Sequence, residues 1–252
     1  MVKVGIEFIV FQGKEKDDLD GVLKECAEAG YSCVETGFIF DRYSGSQVKA
    51  ACDKYNLEYA AGHGGYDTIS DEKKLVETIK NIIEAGGSYI ICSGLARRDN
   101  KFLYRESVSV LNRAGRIAKD NGLVFCYHNH NFEFETEGGK KGIDILGEET
   151  DPDLVKFNID VAWVQIGGES PSGFIKRYAN RAGYYHFKDA FVKSKDKFVW
   201  TELGKGDIEL ESAYKTAMEL GATYIIYEED VSQIEIGQAI RDSRQFLRKL
   251  GV

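Results

Sequence analysis

Short apolar runs alternate with amphipathic stretches along the whole chain. Residues 4–10 (VGIEFIV), 32–37 (SCVETG), 57–62 (LEYAAG) and 88–93 (SYIICS) read as strands in the first half. Residues 122–134 hold a fifth strand built on the apolar run 123–126. Residues 154–160 (LVKFNID), 183–188 (GYYHFK) and 222–228 (ATYIIYE) follow as strands six to eight. Between them lie stretches of helical period at 17–29, 46–55, 70–85, 102–121, 143–147, 173–182, 210–220 and 234–250. In residues 70–85, for example, Leu75, Val76, Ile79, Ile82 and Ile83 fall on one helical face, and Gly86-Gly87 ends it. Asp17 is the expected cap of the first helix and Gly30 its stop. The segment 189–207 is a longer excursion, with Phe198-Val199-Trp200 expected in a small hairpin.

Eight strands alternating with eight helices imply parallel strands and helical crossovers. In a chain of 252 residues this count predicts a closed (β/α)8 TIM barrel forming a single domain over residues 1–252. A doubly wound open sheet is the second choice. Against it, the turn after strand one is Phe11-Gln12-Gly13-Lys14, with no glycine-rich phosphate cradle.

Composition narrows the function more than the fold. The net charge of −8 argues against a nucleic acid or an acidic membrane as partner, because such partners are held by Lys and Arg on phosphates. No run reaches the roughly 18 apolar residues of a membrane span. The first residues, Met1 to Glu7, enter a strand pattern directly and lack the regions of a signal peptide, so a cytoplasmic location is expected. The five cysteines are odd in number, show no CxxC spacing and lie mostly in apolar stretches, as buried reduced thiols do.

In such a barrel the chemistry sits at the C-terminal ends of the strands. Tyr127-His128-Asn129-His130-Asn131-Phe132-Glu133-Phe134 places two histidines and a carboxylate at the end of strand five, with His128 and His130 two apart and so expected on one side. His63 follows strand three, Asp160 ends strand six, His186 and Lys188 stand on strand seven, and Glu228, Glu229 and Asp230 end strand eight. All four histidines therefore fall at strand ends. Converging His, Asp and Glu suit a divalent ion or proton transfer. Glu7 and Glu35, at the ends of strands one and two, read as salt-bridged supports.

These segments resemble the xylose-isomerase-like barrel superfamily, the sugar phosphate isomerase/epimerase group with its inosose dehydratase-like relatives. The resemblance is carried by residues 61–66 (AGHGGY), 127–134 (YHNHNFEF), 157–160 (FNID), 186–189 (HFKD), 202–207 (ELGKGD) and 227–230 (YEED). It implies one divalent metal (Mn2+, Zn2+, Co2+ or Mg2+) held by side chains of strands five to eight. Asp160, His186 and Glu228 match three of the positions. Where many members carry Glu on strand five, this chain carries His128, with His130 or Glu133 as the alternative ligand. The resemblance implies proton abstraction beside the carbonyl of a keto sugar or sugar phosphate, with Glu228 as base and His128 or His130 returning the proton. Isomerisation or epimerisation is the first expectation. Dehydration of a keto-cyclitol or 3-keto sugar is the second, since loss of one of two paired carboxylates weakens the case for simple epimerisation. His63, Glu133, Lys188 and Trp163 are the expected substrate-binding residues. The partner is a small carbohydrate or cyclitol, not a nucleic acid or a membrane, and a homo-oligomer stays open.

Overall fold

A computed structural model describes residues 2–252. Eight parallel strands close into a barrel: β1 Lys3–Glu7, β2 Cys33–Thr36, β3 Glu58–Gly65, β4 Tyr89–Ser93, β5 Val124–His128, β6 Lys156–Asp160, β7 Tyr184–Phe187 and β8 Tyr224–Tyr227. Each pairs with its sequence neighbours, and β1 pairs with β8 to complete the ring. The open-sheet alternative is thereby excluded. The helices pack outside, and among the described residues none is long and apolar enough to cross a membrane.

Alternation along the strands sorts side chains into two cores. One set fills the space between barrel and helices, with Ile6, Phe125, Phe157, Phe187 and Tyr227 among its largest members. The other fills the barrel itself: Cys33, Ala61, Ile91, Cys126, Tyr184, Tyr224 and Ile226, with Tyr89 against them. All five cysteines are free and buried, as their apolar surroundings in the sequence imply.

Helix ends follow local chemistry. Ser44 and Gln47 form a capping box, and Asp71 accepts hydrogen bonds from the amides of Lys73 and Lys74. The first helix, Leu19–Ala29, is capped by Asp18 rather than Asp17; the Asp18 carboxylate accepts from the Gly21 N–H at 2.9 Å. On the helix Glu72–Ala85, Leu75, Ile79 and Ile82 are buried, while Val76 and Ile83 are exposed.

Several departures from the sequence expectation lie at the C-terminal ends of strands. Strand one ends at Glu7 rather than residue 10, because the Glu7 carboxylate accepts from the Ile9 N–H at 2.6 Å and turns Phe8–Phe11 into a 3-10 helix. Strand five ends at His128, not residue 134. Asn129 exchanges hydrogen bonds with the Asp160 backbone, and Phe132–Phe134 is another 3-10 turn. Two short helices, Tyr66–Ser70 and Val161–Ile166, directly follow β3 and β6 and were not apparent from periodicity. The helix expected at 173–182 runs Pro171–Arg177. The expected hairpin is present as Asp189–Ser194 and Lys197–Thr201. Its base is locked by buried Asp189, whose carboxylate accepts from the amides of Gly204, Gly206 and Ile208 at 2.8, 2.9 and 3.2 Å. A side chain at 206 would meet Asp189 Oδ1 at 2.3 Å, so only glycine fits there.

Candidate metal centre and cleft

The strand register brings distant residues together. Asn158 pairs with His128, Asp160 with His186, and Glu7 with Glu35. As a result His128, Asp160 and His186, from strands five to seven, and Glu228, immediately after strand eight, offer ligand atoms that all lie within 4.8 Å of one another. All four side chains are buried. His128 Nδ1 and Asp160 Oδ2 have no hydrogen-bond partner in the chain. Two unsatisfied polar atoms beside two more ligand groups are costly in a protein interior unless something binds there. Two imidazoles and two carboxylates are a donor set that fits a divalent ion.

Supporting groups aim the cluster. Asn158 Nδ2 and Glu35 Oε2 reach His186 Nε2 at 2.9 and 3.1 Å, and His186 Nδ1 contacts Glu228. Glu35 also bonds His63 Nε2 and accepts from the Tyr184 hydroxyl. Asp160 Oδ1 accepts from the Trp163 amide at 2.9 Å, which fixes its carboxylate and starts the helix Val161–Ile166. Lys188 is buried with its Nζ 2.6 Å from Glu228 Oε1 and 2.8 Å from Asp230 Oδ2. The rings of Trp163 and Trp200 pack on that ammonium at 5.2 and 4.4 Å.

The electrostatics follow from burial and these pairings. Burial alone would raise Glu228, but Lys188 and His186 hold its carboxyl well below the usual range. Glu35 is likewise pushed up by burial and pulled further down by His186 and His63, to about 2. His186 loses charge to burial yet is raised well above its usual value by Glu35 and Glu228. Burial pushes His128 well down; burial and Lys188 bring His130 to about 4. Burial carries Asp160 up to about 7, against the pull of Lys188. Glu7 rises well above the carboxylate range through burial and the charges of Glu228 and Glu35.

A cleft of about 450 Å³ opens over the cluster at the barrel mouth. His63, His128, His130 and Glu228 line it, together with Glu7 and Asp230. His130 lies beyond the end of β5 and outside the ligand quartet, although its ring stays 4.9 Å from that of His128. Glu133 is placed otherwise than expected. It does not line the cleft or join the quartet, because its oxygens accept from the Tyr127 hydroxyl at 2.5 Å and the His130 N–H at 2.8 Å. Lys188 stands behind Glu228 rather than on the cleft surface, and Trp163, also off the cleft lining, packs on the Lys188 ammonium and lies 5.5 Å from the His130 ring. Glu35, Asn158 and Asp230 are central to the network. Glu35 and Asp230 are visible at strand ends in the sequence, whereas Asn158 is marked only by its place in the segment 157–160 (FNID), two residues before Asp160 on the same strand face.

The family described as xylose isomerase-like TIM barrel matches residues 23–250 of the chain. An inosose dehydratase from Geobacillus kaustophilus is 32% identical over 194 residues, which cover 68% of this chain and 61% of that protein. The crystal structure of a sugar phosphate isomerase/epimerase from Parabacteroides distasonis superposes with a TM-score of 0.82 at 21% identity, covering 98% of this chain and 94% of that one. The crystal structure of the IOLI protein with a bound zinc atom superposes with a TM-score of 0.76 at 14% identity, covering 99% and 98%. At these identities the two structural likenesses establish the fold.

Proposed function

Because this chain belongs to the xylose isomerase-like TIM barrel family, we propose that it is a divalent-metal-dependent enzyme acting on an uncharged keto sugar or keto-cyclitol. It takes a proton from the carbon beside the carbonyl and expels a neighbouring hydroxyl as water. The observation that carries this reading is the buried quartet His128, Asp160, His186 and Glu228 with its two unpartnered ligand atoms. Elimination is favoured over epimerisation by two facts. Strand five supplies a histidine where paired-carboxylate chemistry needs a second acid, and the dehydratase relative is similar in sequence, at 32% identity over 194 residues.

An ion held by those four side chains would polarise the carbonyl and stabilise the negative charge that develops on its oxygen. Glu228, kept anionic by Lys188 and His186, takes the carbon-bound proton. That proton passes to the departing hydroxyl, which His130 hydrogen-bonds from the cleft wall. The Lys188 ammonium restores the charge balance beside Glu228, and the two tryptophans keep water from it. His63, braced by Glu35, holds a substrate hydroxyl. Glu7, Glu15, Glu228 and Asp230 line the cleft against the single lysine Lys16, a balance that favours a neutral polyol over a phosphate ester.

A second reading keeps the proton abstraction and returns the proton to carbon, as an isomerase or epimerase does. It is favoured by His63, a further proton-carrying group on the same cleft. The Mn2+-loaded protein, incubated with a keto-inositol or with D-fructose in deuterated water, separates the two. Elimination gives an ultraviolet-absorbing conjugated ketone. Isomerisation gives carbon-bound deuterium and no chromophore. Neither signal on a panel of keto sugars would sink the proposal.

A further inference from the structure

A second groove leads off the cleft. Phe38, Ser93 and His130 line both, so the two spaces adjoin at the barrel mouth. One wall of the groove is a four-layer stack. The His130 ring lies on Phe132 with centroids 5.1 Å apart and planes 14° apart. Phe132 lies on Phe102 at 3.7 Å and 5°. The Arg97 guanidinium covers the outer face of Phe102 at 4.2 Å. The hairpin Arg97–Arg98/Lys101–Phe102 holds the outer layers, and the Tyr104 hydroxyl pins the Phe132 carbonyl at 2.7 Å. The stack thus begins beside the ligand quartet and ends at an exposed arginine, further out than a single six-membered ring reaches.

Phe38 borders the same groove and is 56% exposed. An aromatic ring left open at the rim of an otherwise buried site marks a contact surface. Ser93 and Thr68 add hydroxyl groups along the groove. A sugar ring has an apolar C–H face and a rim of hydroxyls, and this combination of an open phenyl ring with neighbouring hydroxyls matches both. A phosphate would meet only Arg97, already stacked on Phe102, with Asp67 on the same surface.

We propose that this groove is a subsite for a second, uncharged sugar ring, so that the substrate is a keto-disaccharide or another glycoside of a keto sugar rather than a monosaccharide. The proposal rests on the keto-sugar reading above and adds the size of the substrate to it. Phe38 is the anchoring platform, and the His130–Phe132–Phe102 stack is the opposing wall.

Titration calorimetry of the purified protein with D-fructose, lactulose and isomaltulose tests it without requiring turnover. At least one disaccharide is expected to bind about tenfold more tightly than fructose. In Phe38→Ala, whose side chain is too exposed to endanger folding, that preference is expected to shrink to about twofold or less. Equal affinity for all three sugars overturns the second-ring subsite and leaves the keto-sugar reading standing. A disaccharide preference unchanged in Phe38→Ala also overturns it. Absence of binding by all three would remove the keto-sugar reading together with the subsite.

Discussion

The floor and the mouth of the barrel are built by the same strands and the same inward face, one pleat apart. On β5 the inward residue changes from Cys126 to His128, on β7 from Tyr184 to His186, and on β8 from Ile226 to Glu228. On β2 it changes from Cys33 to Glu35, and on β3 from Ala61 to His63. Below, Tyr89, Tyr184 and Tyr224 pack ring against ring at 4.9–5.4 Å and fill the space. Above, the same cross-section holds titratable groups, two of them with unpartnered atoms. The floor gains stability from burial, whereas the mouth gives up stability to keep ligand groups facing one another. The Tyr184 hydroxyl joins the layers, because it rises from the packed floor to Glu35.

The largest effect is expected where the mouth does its chemistry. Glu228→Gln removes the proposed base and should lower turnover about 10²–10⁴-fold, read as the initial rate on whichever keto sugar the protein accepts. A variant with near-parental rate would remove Glu228 from that role.

Next comes the cost of holding Asp160 ready. Asp160→Asn keeps the oxygen that caps Trp163 and removes the charge. Elemental analysis should find little bound metal, while the metal-free variant should be as stable as the metal-free parent or more so. The pH dependence has a definite sign. Burial raises the folded-state value of Asp160 to about 7, and that of Glu133 likewise to about 7. The folded metal-free protein therefore holds protons that the unfolded chain has released above about pH 4. The contribution of these groups to stability is full below about pH 4 and is lost as the pH rises to about 7. Across this window the urea midpoint of the metal-free parent should fall relative to that of metal-free Asp160→Asn as the pH rises. An equal slope in both proteins would contradict the assignment to Asp160.

The smallest effect on function, with a measurable cost in stability, is expected on the floor. A Cβ added at Gly5 would lie 2.6 Å from both Cys33 Sγ and Ile226 Cδ1 and 2.9 Å from the Cys33 carbonyl oxygen. Gly5→Ala should cost about 1–3 kcal/mol in urea unfolding, as overpacking does, and leave metal content unchanged. Loss of metal in this variant would mean that floor and mouth are not separable.

The sequence by itself determined the order of eight strand–helix units and which polar residues lie near their C-terminal ends, though not where strands one and five stop. Both follow from local rules, the period of apolar positions and the chemistry of caps. It also placed His128, Asp160, His186 and Glu228 at corresponding points of consecutive strands, because one inward-facing position per strand is all that such a site requires. The tertiary structure decided what local periodicity does not encode. It turned the chain after His128, so that Glu133 is spent on Tyr127 and the His130 amide instead of facing the cleft. It made Glu35, read as a peripheral support, the group that joins His63, His186 and Tyr184. It also set Lys188 against Glu228 and Asp230 rather than against its neighbour Asp189, which is occupied by the amides of a loop some fifteen residues on. Each of these outcomes depends on which hydrogen-bond partner is nearest once the barrel closes, and that distance is fixed by strand register rather than by separation along the chain.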